Sequence, residues 1–522
     1  MCGKGIYFWV VVISVLIVSN AFAQEKGFVS IFDGKTLNGW KSSDMNYWSV
    51  TDGAITGKTT AAKPLRSNQF LVWQWGQLDD FELKLKYRIQ GTDGANSGIQ
   101  FRSRVLKGGP VAGYQADIDR GGNWTGALYD ERGRGILCAR GDKITLAEKK
   151  ENVVRTAVAD KKELWTHVDK DGWNDYHIIA RGSHLVLKIN GHVMSEITDN
   201  QKGHLDLSGV LALQLHTGPP MTIQFKDIYL KRLKMCPRKK IIMLAGTRSH
   251  GYAAHEHYAA SVLMADMMIK ALPNIHAVVY KNGWPKDPTA FDNADAVMVF
   301  CNGGGGHMFM PHLEQIDKIM KQGVGLAAIH YAVEVPKGKP GNYMLDWIGG
   351  YFETHWSVNP FWCAEFKKIP QHPITRGVKP FTINDEWYYH MRFQPDMKNV
   401  TALLSAIPPD STRKRKFGPH SGNPHVHARM GKPEILAWAY ERPRGGRGFG
   451  FTGGHFHANW AHDEYRKFLL NALVWITGAE VPLEGVASDT PTIEQLEANQ
   501  DYPGNKVKGR KQMRDVIAGF ER

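Results

Sequence analysis

The pattern of apolar and polar positions divides the chain into two parts. Between residues 27 and 233, short segments alternate apolar and polar positions, as in FELKLKYRI (81–89) and GIQFRSR (98–104). Alternation with a period of two is typical of strands with one buried face. The Asn190-Gly191 pair between LVLKI and HVMSEI predicts a two-residue hairpin turn. Together these strands predict an all-β, two-sheet antiparallel sandwich of the jelly-roll type.

The period changes after residue 240. The runs IIMLAG (241–246), AVMVFC (296–301) and GLAAIH (325–330) are continuously apolar, and helix-length segments such as 256–272 lie between them. Strands that are buried on both faces and alternate with helices indicate an open parallel sheet. The second part is therefore predicted to be an α/β doubly wound domain, which ends with a helix over 464–478.

The length of 522 residues is too great for one hydrophobic core, which agrees with two domains. The first residues contain an apolar run from Ile6 to Val18 and an Ala-Phe-Ala ending, which is typical of a secretory signal peptide. We therefore expect an exported protein, periplasmic or secreted, with no integral membrane segment after removal of the leader. The predicted parts are a signal peptide (1–23), a β-sandwich (24–235), an α/β domain (241–480) and a loosely docked polar tail (481–522).

Charge and cysteine usage exclude some classes of function. The formal net charge is +14, but the lysines and arginines are spread along the chain and aromatic residues do not alternate with them. We therefore expect no nucleic-acid partner. The cysteines beyond the leader contain no C-x-x-C pair, so no zinc knuckle is predicted. The oligomeric state stays open.

Histidines follow several of the predicted strands of the second part. Ligands of open parallel sheets bind beyond the carboxyl ends of the strands, so these positions are candidates for a site. Neutral imidazoles beside a carboxylate suit proton transfer or a divalent metal ion. No H-E-x-x-H motif is present. The predicted metal ligands are His330, His455, His457 and Glu386, with His250 and His255 as further candidates for the site.

A glycine-rich loop, CNGGGGH (301–307), follows the second apolar strand. It lacks the lysine and the serine or threonine of a phosphate-binding P-loop, and it lacks the G-x-G-x-x-G spacing, so no nucleotide cofactor is expected. Bare backbone amides suit close approach of a small polar ligand, whereas a plain tight turn is the alternative. The substrate-binding candidates here are Gly304, Gly305, His307, Tyr331 and Tyr388.

The second part resembles the trehalose-utilisation ThuA-type domain, a relative of class I glutamine amidotransferases. The segments that show the resemblance are GVGLAAIHYA (323–332), GGYFETHW (349–356), HPITRGV (372–378), DEWYYH (385–390) and GRGFGFTGGHFHANW (446–460). In amidotransferases the segment equivalent to AAIHYA holds the nucleophilic cysteine where this chain has His330. The resemblance therefore does not imply glutaminase activity.

The first part is similar to the 3-keto-disaccharide hydrolase domain family, a concanavalin-like sandwich. The similarity lies in FVSIFDGKTLNGWK (28–41), NSGIQFRSR (96–104), GYQADIDR (113–120), WNDYHIIARG (173–182) and LALQLHTGPPMTIQFKDIYLKRL (211–233). Strand alternation leaves open whether a given set of positions faces a ligand or the core. The candidates for the binding face are Arg102, Gln115, Asp117, Asp119, Tyr129, Gln214 and His216.

These resemblances imply keto-sugar chemistry. A ketone at carbon 3 acidifies the hydrogen on carbon 2, so that a base removes it, the carbon 1 substituent leaves, and water adds afterwards. We expect Asp117 or His216 as the base and Arg102 as the group that stabilises the enolate. Alternatively, the sandwich is a carbohydrate-binding module in which Trp124 stacks on sugar rings, or only the ThuA-type part is catalytic and depends on His330.

Overall fold

The computed structural model describes residues 25–149, 153–502 and 507–520. The chain forms two compact units, which divide between Leu233 and Lys234. The predicted signal peptide lies outside the described residues. Within the described part of the chain, no helix is long and apolar enough to cross a membrane.

The first unit consists almost entirely of strands. The pattern did not predict its short helix α1 (Lys161–Thr166). The strands are β1 (Val29–Ser30), β2 (Trp40–Lys41), β3 (Trp48–Thr51), β4 (Ala54–Lys58), β5 (Gln69–Trp73), β6 (Phe81–Gly91), β7 (Asn96–Val105), β8 (Val111–Asp119), β9 (Leu128–Glu131), β10 (Gly135–Cys138), β11 (Asp142–Leu146), β12 (Val153–Ala157), β13 (Asn174–Arg181), β14 (His184–Ile189), β15 (His192–Asp199), β16 (Val210–Leu215) and β17 (Met221–Arg232).

These strands form two sheets, which confirms the predicted sandwich. One sheet has the order β12-β11-β15-β14-β13-β6-β17-β4-β3, with β1 beside β17, and the other has the order β10-β9-β8-β7-β16-β5-β2. Alternate residues of both sheets, such as Leu83, Ile99 and Leu213, are buried in one hydrophobic cluster. The predicted hairpin joins β14 to β15, where Asn190 and Gly191 adopt φ of 49° and 85°, as this turn type requires.

The second unit contains a mixed sheet, two two-stranded antiparallel sheets and helices. Its strands are β18 (Lys239–Ala245), β19 (Ile275–Tyr280), β20 (Ala296–Phe300), β21 (Gly325–Ile329), β22 (Gly350–Tyr351), β23 (Phe361–Phe366), β24 (Phe381–Glu386), β25 (Arg392–Phe393), β26 (Val400–Ala406), β27 (Glu434–Glu441) and β28 (Arg447–Phe451). Its helices are α2 (His257–Ala271), α3 (Leu313–Lys321), α4 (Lys339–Ile348), α5 (Asp410–Arg413), α6 (Pro424–His427), α7 (Asp463–Ile476), α8 (Ile493–Glu497) and α9 (Val507–Phe520). The pairs β22-β25 and β23-β24 form the two small sheets.

The large sheet has the order β19-β18-β20-β21-β28-β27-β26. The strands from β19 to β28 in this order are parallel, whereas β27 and β26 are antiparallel. Both faces are buried: Met243 packs with α2 and α7, and its neighbour Leu244 packs with α3 and α4. The predicted doubly wound domain is confirmed, with an antiparallel edge, and the ends of its parallel strands open onto one side.

The region beyond residue 480 is docked more closely than the sequence suggests. Val481, Val486, Leu496 and Met513 are buried in the core cluster of the second unit. Helix α8 begins with a capping box in which Thr492 and Gln495 exchange hydrogen bonds. The predicted loose tail is therefore wrong for the described part of this region, because its few apolar side chains are enough to bind it to the domain.

Candidate functional site

Four segments of the second unit bring ligand-type side chains to one point. The loops after β18, β21 and β28 each supply a histidine, and the end of β24 supplies a carboxylate. One nitrogen or oxygen of each residue lies within 4.8 Å of all the others, and all four residues are buried. This cluster, called the histidine cluster below, consists of His255, His330, Glu386 and His455.

The distances within the histidine cluster suit a tetrahedral metal site. His255 Nε2 lies 3.0 Å from His330 Nε2 and 3.0 Å from His455 Nδ1. Glu386 Oε2 lies 2.9 Å from His455 Nδ1 and 3.4 Å from His330 Nε2. Ligands that bind zinc tetrahedrally at their usual bond lengths are about 3.3 Å apart. The cluster could therefore hold a metal ion with small side-chain movements.

Neighbouring groups fix the orientation of these side chains. His330 Nδ1 donates to the Thr452 carbonyl oxygen at 2.8 Å, so that Nε2 presents its lone pair to the cluster. The buried Asp385 carboxylate accepts hydrogen bonds from the backbone amides of Gly454 and His455, at 2.9 and 3.1 Å. Such outer partners are typical of metal-binding histidines.

Two of the histidines have strained backbones. His255 and His330 adopt φ of 51° and 54°, in the left-handed region that residues with a Cβ rarely occupy. His330 stands at the point where β21 ends and a 3-10 turn begins. Strain of this kind concentrates at functional sites, where the surrounding packing holds it in place. Here it directs both imidazoles towards the cluster.

The electrostatics favour the protonation states that metal ligands need. Burial, together with the nearby His330 and His455, lowers the pKa of His255 far below its ordinary value. Burial acts to raise the pKa of Glu386, but the neighbouring His330 and His455 outweigh it and hold that pKa at about 2. A neutral imidazole and an ionised carboxylate are the forms that bind a metal ion.

Two predicted site histidines lie outside the cluster. His457 Nε2 donates to the Leu496 carbonyl oxygen at 2.8 Å, and His255 takes the place among the ligands that was predicted for His457. His307 uses both ring nitrogens for backbone groups, with Nε2 3.1 Å from the Ala332 carbonyl oxygen and Nδ1 accepting from the Phe309 amide. The predicted metal-binding role of His457 and substrate-binding role of His307 are therefore corrected to structural ones.

The other predicted residues of this unit border the cluster. The Tyr388 hydroxyl lies 3.3 Å from His330 Nε2, and the half-buried Tyr331 ring lies 6.0 Å from that of His255. Gly304, which is half-buried, and Gly305, which is exposed, belong to a 3-10 turn. A Cβ on the preceding Gly303 would lie 2.2 Å from the Tyr331 carbonyl oxygen, so close packing explains at least that glycine.

The sandwich unit contains a second candidate site, a polar row on the face of the β8-β7-β16 sheet opposite the core. Gln100 Nε2 donates to Gln115 Oε1 at 2.7 Å, and Gln115 Nε2 donates to Asp117 Oδ1 at 2.7 Å. Gln214 pairs with Gly98 on the adjacent strand, and its buried amide has no hydrogen-bond partner among the described residues. Since buried amides are nearly always hydrogen-bonded, this amide is available to bond a ligand.

Asp117 is the titratable centre of this row. Burial is the main cause that raises the pKa of Asp117 to about 7, and the charges of Asp119 and Glu131 add to it. Burial raises the pKa of Glu131, and the nearby half-buried His216 acts against that shift. Tyr129 pairs with Gln115 across the sheet. The structure thus brings Asp117, Gln115, Gln214, His216 and Tyr129 to one face.

Arg102 does not belong to the polar row. Its guanidinium is buried, bound to Asp80 Oδ1 at 2.9 Å and to the Asp79 carbonyl oxygen at 2.6 Å. The pairing of β7 shifts register between Gln100 and Arg104, and Arg102 adopts φ of 48° there. The bulge breaks the alternation and turns Arg102 away. Its predicted catalytic role is therefore wrong.

The predicted role of Asp119 is also corrected. Its carboxylate accepts hydrogen bonds from the backbone amides of Asn123, Trp124 and Thr125, which fix the following loop. That loop presents Trp124 with 44% of its surface exposed. Stacking of Trp124 on a sugar ring stays a prediction.

The sequence did not single out several residues that support the two sites. Asp385, Asn359, Glu334 and His420 surround the histidine cluster, and Gln100 and Glu131 join the polar row. Period-two alternation could have indicated Gln100 and Glu131, because they lie two residues from Gly98 and Tyr129 on the same strands. No local pattern indicates His420, which lies in an irregular loop.

The fold and the two candidate sites define a two-domain protein in which a β-sandwich precedes a doubly wound domain with a candidate metal site. Residues 27–231 match the family model of the 3-keto-alpha-glucoside-1,2-lyase-like domain, and residues 244–476 match that of the trehalose-utilisation domain, ThuA. The chain is therefore a fusion of a member of each family, which confirms both resemblances.

Solved structures resemble each unit. A protein proposed to be ThuA-like from Bacteroides uniformis is 15% identical, with 47% of this chain and 94% of that chain covered and a TM-score of 0.32. A proposed glycosyl hydrolase from Parabacteroides distasonis is 19% identical over 40% of this chain and 99% of that chain, with a TM-score of 0.28. The carbohydrate-binding module CBM66 from Bacillus subtilis is 13% identical, with 37% of this chain and 95% of that chain covered and a TM-score of 0.26. No curated protein matches the chain.

Proposed function

We propose that this protein acts on keto-sugars and that its sandwich unit cleaves 3-keto-glycosides by elimination, followed by addition of water. The observation on which the proposal rests is the Asp117 carboxyl, whose pKa is raised to about 7 by burial within a row of amide side chains. A base with a pKa near neutral removes protons most effectively at neutral pH. The description of the matching family as 3-keto-alpha-glucoside-1,2-lyase-like supports the same chemistry.

The residues of the polar row have distinct tasks in this proposal. Asp117 takes the proton from carbon 2, and the electrons of that C–H bond form the enolate. The enolate then re-forms the ketone with a double bond between carbons 1 and 2, while the leaving oxygen keeps the electrons of the broken carbon 1–oxygen bond and takes a proton from water. Since Arg102 is turned away, the buried amide of Gln214, which has no hydrogen-bond partner among the described residues, is the candidate donor for the enolate oxygen. A preorganised donor in a buried site stabilises such developing charge.

The test is turnover of a 3-keto-disaccharide by the full chain and by Asp117→Asn. We expect the substitution to reduce kcat by about 10²–10⁴. Asp52→Asn is the matched control, because Asp52 is exposed in the turn between β3 and β4 and asparagine tolerates its positive φ. Binding of the disaccharide without turnover by the wild-type chain would instead support the alternative, a carbohydrate-binding module.

We further propose that the histidine cluster of the ThuA domain binds a divalent metal ion. The supporting observation is the convergence of three histidines and one glutamate within 4.8 Å. Imidazole with carboxylate suits zinc and other first-row ions. Such an ion would act as a Lewis acid on a sugar carbonyl oxygen that joins the four protein groups as a further ligand. Stoichiometric uptake of Co²⁺ by metal-free protein, with the visible absorption of a tetrahedral site, is the expected result.

Export and choice of partner belong to the same proposal. The apolar stretch before residue 24 supports a cleaved leader and a periplasmic or secreted protein. The proposed partner is a sugar or keto-sugar. Detection of the mature chain, beginning near Gln24, in the cell envelope or medium would be the expected outcome, and an uncleaved chain inside the cell would contradict it.

A further inference from the structure

A histidine–glutamate pair lies beside the histidine cluster without belonging to it. His420 Nε2 lies 2.9 Å from Glu334 Oε1. The Glu334 side chain is only 4% exposed, whereas that of His420 is 37% exposed. No described residue is hydrogen-bonded to His420 Nδ1. The buried Glu334 thus holds the His420 ring in place, and the Nδ1 atom of His420 is free to bond a ligand.

The pair is connected to the cluster through Asn359. The backbone amide of Asn359 donates to the His420 carbonyl oxygen at 3.3 Å, and its side-chain amide donates to Glu386 Oε1 at 3.1 Å. The ring of Phe352 lies 5.5 Å from that of His420 and 5.4 Å from that of Tyr388. These contacts place His420 on the wall next to the Glu386 side of the cluster.

The glycine-rich loop (301–307) lies beside Glu334, as His420 does, and also near the histidine cluster. The Gly304 amide donates to the Glu334 carbonyl oxygen at 2.9 Å, and a Cβ on Gly304 would be 3.5 Å from Glu334 Oε1. Gly305 and Gly306 are exposed, and a Cβ on either would meet no atom within 4 Å. The loop therefore leaves space beside Glu334 and Tyr331 for a ligand of the cluster.

We propose that His420, held by Glu334, is the proton donor to an oxygen of a keto-sugar bound at the histidine cluster. The inference rests on the proposed metal centre and adds to it the group that would act opposite the metal. In the proposed step the Nδ1–H bond of the His420 imidazolium breaks, a lone pair of the negatively charged substrate oxygen forms the new O–H bond, and the neutral imidazole that remains takes up a proton from the solvent.

The charges around His420 support this role. The hydrogen bond and charge of Glu334 raise the pKa of His420 despite partial burial, and the charge of Glu386 acts in the same direction. Tyr331 and Tyr388 are the other titratable groups on this wall, and burial raises the pKa of both, so they remain neutral at physiological pH. The imidazolium form, which donates, therefore persists to a higher pH than in an ordinary histidine.

The test uses protein with the Asp117→Asn substitution, which removes the proposed base of the sandwich unit, and compares it with the same protein carrying His420→Gln or Glu334→Gln, all loaded with the same divalent metal. We expect His420→Gln to reduce kcat for keto-sugar turnover at least about 10²-fold, which is the usual effect of losing a general acid. Glu334→Gln is expected to move the alkaline limb of the kcat profile to lower pH. His425→Gln is the control, since His425 is an exposed histidine that packs on Trp356.

Metal content and the Co²⁺ spectrum show whether a loss of turnover comes from loss of the metal ion or from loss of the proton donor. The proposal requires that His420→Gln binds metal as the wild type does while losing turnover. Equal turnover and an unchanged pH profile in His420→Gln would overturn the proton-donor role alone. If the Asp117→Asn protein without a further substitution binds metal but converts no keto-sugar, the activity of the ThuA unit and the role of His420 both fail, and metal binding stands.

Discussion

Burial affects the two key carboxyl groups, Asp117 and Glu386, in different ways because their hydrogen-bond partners differ. Asp117 receives one hydrogen bond from a neutral amide, and burial raises its pKa to about 7. Glu386 lies between two imidazoles, and these bring its pKa to about 2 despite burial. Asp117 can therefore accept a proton near neutral pH, whereas Glu386 stays ionised as a ligand.

The raised pKa of Asp117 predicts a dependence of stability on pH. The pKa of Asp117 is about 7 in the folded protein, whereas its ordinary value is 3.8. The stabilisation of the folded state by the protonated carboxyl is therefore complete below pH 3.8 and is lost as the pH rises through about 7. The loss amounts to at most about 4 kcal/mol. Urea unfolding at about pH 5 and about pH 8 should show it in the wild type and in Asp52→Asn. Asp117→Asn should lack this loss, and an identical pH dependence in that variant would contradict the assignment.

The identity of the metal ligands predicts a contrast between two buried histidines. His255→Gln should weaken Co²⁺ or Zn²⁺ binding strongly, because it removes a ligand of the cluster. His457→Gln should leave the affinity close to that of the wild type, because glutamine can still donate to the Leu496 carbonyl oxygen. Calorimetric titration of metal-free protein measures both affinities. A loss confined to His457→Gln would restore the ligand set predicted from the sequence.

The sequence predicted where site residues lie better than where their side chains point. Strand ends indicated His330 and His455 correctly, since parallel strands place their carboxyl ends at one edge. The choice between His255 and His457 depends on a positive φ and on a contact with Leu496, which are not local patterns. The predicted role of Arg102 was wrong for a similar reason, because a bulge interrupts the alternation of the strand.

At the scale of elements, the segment from Thr492 to Tyr502 supports the loop that holds His255. Tyr252 donates to Glu497 at 3.1 Å, and the Asp501 amide donates to Glu256 at 2.9 Å. The Arg248 guanidinium lies 3.2 Å from the centre of the Tyr502 ring. Sequence polarity predicted a loose tail here, because hydrogen bonds between distant segments leave no periodic pattern.

These contacts predict that the tail contributes to metal affinity. Ending the chain after Pro491 should weaken metal binding by about 10–100-fold, the usual effect of losing outer-sphere support. Amide hydrogen exchange of residues 247–256 should also become faster, whether or not metal is present. Ending the chain after Tyr502 is the control, since it removes α9 and keeps the three contacts. Unchanged exchange in the shorter chain would show that the loop holds its shape alone.

At the scale of the molecule, each unit has its own hydrophobic core and its own candidate site. The proposed chemistries differ: the polar row uses side chains alone, and the histidine cluster uses a metal ion. Their responses to a chelator should therefore differ. The order of the domains and the change of hydrophobic period near residue 240 could be predicted from the sequence, because core-facing patterns are local. Which unit performs which reaction has no such local pattern.

Separate expression of the two units tests which unit performs which reaction. Residues 25–235 should cleave a 3-keto-disaccharide at a rate unaffected by EDTA, because the polar row includes no metal ligand cluster among its described residues. Residues 234–522 should bind Co²⁺, and EDTA should abolish any turnover they show. Chelator-sensitive cleavage by the second unit alone would move the cleavage chemistry to the histidine cluster and leave the sandwich as the binding module. Folding of each unit is checked first by circular dichroism, so that a misfolded fragment is not mistaken for an inactive one.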